Sequence, residues 1–139
     1  MSCLFPIEFL DPTVVIAGKE RCSKLLKPDS ALYRHLDSLR KQIEQAFPGK
    51  VQTPPRIDLH IEVITNRVPY SEEEVLKRCA QLQGQQIDAS PHLLEKLGKA
   101  VMLPTPEVDG YGGTHITLAW FPGGVPDGAF RHIHALPVV

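Results

Sequence analysis

Apolar and polar positions alternate along the middle of the chain. Ile57, Leu59, Ile61 and Val63 interleave with Asp58, His60 and Glu62, and Ile64 closes the run. A period of two sends successive side chains to opposite faces, so Arg56 to Ile64 predicts a strand with one apolar and one mostly polar face. A second alternation, within the strand predicted over Gly112 to Phe121, sets His115, Thr117, Ala119 and Phe121 on one face. Ile116, Leu118 and Trp120 fall on the other, which places Trp120 in the core. Elsewhere the period lengthens. Leu32, Leu36, Leu39, Ile43 and Phe47 recur at helical spacing until Pro48-Gly49, which predicts a helix over 29–47 capped by Asp29 or Ser30. Ser71-Glu72-Glu73-Glu74 is a capping box ahead of Val75, Leu76, Cys79 and Leu82. Ser90-Pro91 predicts a short third helix, with Leu93, Leu94 and Leu97 on its apolar side and Gly98 just past its end. Thr13 to Ala17 and Ala100 to Leu103 have the length and content of strands.

The two alternating strands echo one another. Each carries a His two residues ahead of a polar side chain, and a loop or helix signal follows each. The echo predicts two copies of a strand-helix unit inside one domain, 1–139. A length of 139 residues, 42% hydrophobic, suits a single ordinary core. Fifteen basic against 16 acidic residues give a formal net charge of -1. That balance lacks the basic excess of a protein that tracks a long polyanion, and it favours a small ligand or the end of a nucleic acid. Cys3, Cys22 and Cys79 form no CxxC pair, which predicts reduced thiols and a cytoplasmic protein. No leader pattern opens the chain and no stretch reaches ~18 apolar residues, so no membrane association is expected.

Candidate chemistry centres on His115 and Thr117. On one pleated face they stand about 7 Å apart, where an imidazole can move a proton while a hydroxyl binds a phosphate oxygen. His60 across a cleft would supply the opposing acid or base that an in-line displacement needs. Other positions weigh less. Tyr111 stacks on a base or lids the core, and Arg56, Arg67 and Arg131 each suit a phosphate. Gly110, Gly112 and Gly113 lack the pattern of a nucleotide-binding loop and are taken as a hinge. His35 and His92 are expected on the surface, and His132-Ile133-His134 in a solvated tail rather than at a metal.

Thr114-His115-Ile116-Thr117-Leu118-Ala119-Trp120-Phe121, with His60-Ile61-Glu62 before it, resembles the 2H phosphoesterase superfamily. That group includes cyclic phosphodiesterases and 2′-5′ RNA ligase-like proteins. The resemblance implies an α+β fold, duplicated into two strand-helix lobes with antiparallel sheets around a central cleft. It implies a phosphodiesterase acting on a cyclic phosphate RNA end or a cyclic nucleotide, with no metal and no cofactor. His60 and His115 would exchange base and acid roles, Thr117 would hold the non-bridging oxygen, and Tyr111 and Arg131 would bind substrate. A monomer is expected. Glu62 departs from the pattern, standing where a hydroxyl belongs. An ionised Glu62 repels a phosphate, or it holds His60 protonated for an acid role. Two rivals follow: a metal-dependent hydrolase using His60, Glu62 and His115, and a nucleotide-binding module without chemistry.

Overall fold

Ser30 caps the longest element. Its hydroxyl accepts the Tyr33 N–H at 3.2 Å and donates to the Lys27 carbonyl at 2.7 Å, and helix α1 (Ala31–Ala46) follows. Leu32, Leu36, Leu39 and Ile43 are all buried on its inner face, each burial contributing roughly 1.5–3 kcal/mol. Gly49, at φ 76, turns the chain away after Pro48, a conformation that costs glycine no steric strain.

The computed structural model describes residues 3–10, 16–17, 22–52, 58–64, 72–106 and 115–137. Around α1 lie strands β1 (Leu4–Pro6), β2 (Ile16–Ala17), β3 (Cys22–Leu25) and β4 (His60–Ile64), then helix α2 (Glu72–Leu82). Strand β5 (Gln86–Asp88), a 3-10 turn at Pro91–Leu93, and strands β6 (Glu95–Leu97), β7 (Ala100–Pro104) and β8 (His115–Trp120) come next, and helix α3 (Ala129–His134) is last. The fold class is mixed α+β with antiparallel sheets: β1 with β5, β2-β3-β4, and β6-β7-β8. Strands β4 and β8 stand at the ends of the two three-stranded orders, and they contact one another. One hydrophobic cluster takes residues from α1, β4, α2, β7, β8 and α3. No helix among the described residues is long and apolar enough to cross a membrane.

Registers in the two three-stranded sheets share a feature. Leu25 faces His60, Lys24 faces Ile61 and Ser23 faces Glu62, but Cys22 faces Ile64, so Val63 is skipped. Likewise Pro104 faces His115, Leu103 faces Ile116 and Met102 faces Thr117, but Val101 faces Ala119, so Leu118 is skipped. A residue inserted on one strand is a β-bulge, which reverses the side-chain alternation beyond it.

Several expectations are corrected. Trp120 is 37% exposed while Ala119 and Phe121 are at 0%, because the bulge at Leu118 exchanges the two faces of β8. Ala119 and Phe121 therefore do not share the face of His115 and Thr117. The third helix opens at Ser90-Pro91 as expected but is only the single 3-10 turn Pro91–Leu93 and does not reach Leu97. After the 3-10 turn the chain enters β6, and Gly98 at φ 60 with Lys99 makes the two-residue connection to β7. Pairing with β7 overrides the weak helical pattern of a segment this short. His35 is buried, 6% exposed, with Nε2 2.7 Å from the Ala89 carbonyl and its ring stacked on Phe5 at 4.7 Å. His92 is exposed, as expected. His132 and His134 are exposed, as expected, but they sit on helix α3, and His134 Nε2 lies 2.9 Å from the Leu94 carbonyl. Residues 13–15, 56–57 and 112–114 of the expected strands, and Ser71 of the capping box, lie outside the described residues.

Candidate functional site

His115 opens β8, and Thr117 follows on the same face ahead of the bulge. Both are half-buried, while Ile116 and Leu118 between and beyond them are fully buried. The apolar pair fixes the strand on the core and leaves the His and the hydroxyl together on the other side. This is the arrangement the alternation predicts for the first four residues of β8.

His60 opens β4 in the same way, half-buried between the buried Leu59 and Ile61. Its Nδ1 lies 2.8 Å from the Asp58 main-chain carbonyl. A carbonyl only accepts, so Nδ1 carries the proton and Nε2 is the nitrogen left for other partners.

Asp58 in turn is held from three sides. Tyr33 donates its hydroxyl to Oδ2 at 2.7 Å, Arg40 Nη1 donates to Oδ1 at 2.9 Å, and the Leu59 N–H donates to Oδ1 at 2.8 Å. Arg40 also donates from Nε to Asp37 at 2.8 Å and from Nη2 to the Tyr33 oxygen at 3.2 Å. Its guanidinium lies 5.6 Å from the Tyr33 ring centroid, within cation–π range. Partial burial raises the Asp58 pKa, but hydrogen bonds from Tyr33, the Leu59 N–H and Arg40 outweigh it, leaving the carboxyl below its ordinary value. Burial and the hydrogen bond to Asp58 push the Tyr33 phenol up. Burial lowers the Arg40 pKa, and Asp37 and Asp58 more than offset it, so the guanidinium is held more firmly charged. Sequence reasoning missed Tyr33, Arg40 and Asp58. A signal existed: Tyr33, Asp37 and Arg40 recur at helical spacing on α1, off the stripe of Leu32, Leu36, Leu39 and Ile43.

Glu62 pairs in register with Ser23, and its side chain lies outside the described residues, as do Tyr111, Arg56, Arg67 and the glycines at 110, 112 and 113. Arg131 is exposed on α3, the helix that packs on the Pro91–Leu93 turn. Among the described residues no group of three or more His, Cys, Asp or Glu side chains could hold a metal. An open pocket of about 600 Å³ lies between residues 49–52 and 122–127. Gln52 and Trp120 exchange main-chain hydrogen bonds of 2.8 and 3.3 Å there, which sets this pocket at the opposite end of β8 from His115. The chain matches no protein-family model, no curated protein and no solved structure.

Proposed function

We propose that the chain is a phosphodiesterase that opens a cyclic phosphate, at an RNA end or in a cyclic nucleotide, by acid–base catalysis from His60 and His115. One imidazole takes a proton from the attacking water as the new P–O bond forms. The other gives a proton to the leaving oxygen as the old bond breaks, and Thr117 donates to a non-bridging oxygen. The observation that carries this reading is the matched register of β4 and β8. Each strand begins at its His, pairs antiparallel within its own three-stranded sheet, and skips the third residue past that His. Such agreement in register between two sheets supports a duplicated fold of two lobes. Contact between β4 and β8 supports a cleft that both histidines line.

The deciding experiment is turnover of a 2′,3′-cyclic nucleotide in excess chelator by the parent, His60→Ala and His115→Ala proteins. Turnover by the parent alone is expected. Loss of the parent's activity on chelation would transfer the site to a metal-dependent hydrolase. Binding without turnover in the parent would make it a nucleotide-binding module.

A further inference from the structure

We infer that Asp58, Tyr33 and Arg40 are positioning residues that fix the tautomer and orientation of His60. The inference rests on the phosphodiesterase reading only in its kinetic consequence, since the linkage itself is a matter of hydrogen bonds. The Asp58 carbonyl that accepts from His60 Nδ1 and the Leu59 N–H that donates to Asp58 Oδ1 belong to the same peptide unit. That unit is planar, with its C=O and N–H pointing in opposite directions. By holding the N–H, the Asp58 carboxylate therefore sets where the carbonyl points. The carboxylate is itself held on α1 by the Tyr33 hydroxyl and Arg40 Nη1. Arg40 is 8% exposed and is braced by Asp37. On the far side, the Leu59 carbonyl accepts the Leu26 N–H at 3.0 Å. The chain of contacts thus runs from α1 through a carboxylate and a peptide plane to the imidazole. It keeps the proton on Nδ1 and leaves Nε2 for the exchange with substrate or solvent.

The test reads the His60 ring directly, by long-range 15N–1H correlation NMR on the intact protein at a pH where the ring is neutral. The Nδ1–H tautomer is expected to dominate in the parent. Asp58→Ala, which removes both the carboxylate clamp and its link to α1, is expected to raise the Nε2–H population clearly. Asp58→Asn keeps an oxygen for the Leu59 N–H and should restore most of the parental ratio. Tyr33→Phe deletes a single hydroxyl from a half-buried ring and should give a smaller shift of the same sign, which preserves the test if Asp58→Ala fails to fold. With a cyclic nucleotide as substrate, kcat of Asp58→Ala should fall about tenfold or more, a fraction of what the acid–base group itself supplies, with KM unchanged. A parental tautomer ratio in folded Asp58→Ala, or in folded Tyr33→Phe where the alanine variant does not fold, overturns the inference. A shifted ratio supports it even if the parent turns over no cyclic phosphate, an outcome that would overturn the phosphodiesterase reading alone.

Discussion

Leu118 and Ala119 are consecutive residues of one strand, and both are fully buried. A regular strand forbids this, because neighbours point to opposite faces. The bulge at Leu118 makes it possible, and it decides the fate of every side chain after Thr117. Phe121 is thereby brought into the core, edge-on to Phe47 at 5.6 Å.

The bulge predicts an inversion in mutational cost. Phe121→Ala should destabilise the protein by about 3–5 kcal/mol, the usual cost of deleting a buried aromatic ring. Trp120→Ala should cost about 1 kcal/mol or less, since its ring is partly in solvent and its main-chain bonds to Gln52 survive. Urea unfolding followed by circular dichroism checks both. The reverse order of costs would mean a strand with unbroken alternation.

His115→Ala should lower turnover of a 2′,3′-cyclic nucleotide by about 10²–10⁴ in protein that still melts cooperatively. Thr117→Ala should lose one hydrogen bond to a charged oxygen, about 1.5–3 kcal/mol of transition-state stabilisation. Initial rates beside thermal melts measure both. An unaltered rate in His115→Ala would end its catalytic assignment.

Glu62→Thr separates the roles open to the carboxylate at position 62. If the carboxylate merely repels substrate, a hydroxyl in its place raises the rate on a cyclic nucleotide. If Glu62 holds His60 protonated, or binds a metal, the same change lowers it. We expect the rate to rise, and initial rates with and without chelator are the measurement.

Acid stability should depend on the carboxylates around Arg40. Burial opposes ionisation of Asp37 and Asp58, but Lys41 and Arg40 at Asp37, and Tyr33, Leu59 N–H and Arg40 at Asp58, hold both below the ordinary 3.8. A carboxyl with a lowered folded pKa stabilises the fold above its unfolded value, and that contribution is lost as pH falls through the folded value. The melting temperature should therefore drop as pH falls from about 5 to about 2, and Asp58→Asn should flatten the drop. The Asp58 side chain is 44% exposed, so solvent screening keeps its share small. Thermal melts of parent and variant across that range give the answer, and parallel curves would remove Asp58 from the acid response.

Local signals were legible in the sequence because they depend on neighbours. Ser30, the leucines of α1 and Pro48-Gly49 specify a helix with both its ends. The alternation around His60 and from His115 to Leu118 specifies which side chains meet the core. The side of the strand that carries His60, and the side that carries His115 and Thr117, could be read on that basis. The matched register, the exposure of Trp120 and the hairpin through Gly98 could not. Each depends on a partner strand, and a single bulge cancels a period-two pattern without changing a residue. His35 is buried by Phe5 and by the Ala89 carbonyl, 54 residues away along the chain. The hold of Tyr33 and Arg40 on Asp58 spans 25 and 18 residues. Periodicity and capping act within a few residues, so the sequence by itself could determine the faces of α1, of β4 at His60 and Ile61, and of β8 as far as Leu118. Strand pairing and side-chain hydrogen bonds join residues distant in the chain, and only the tertiary structure could decide which of them meet.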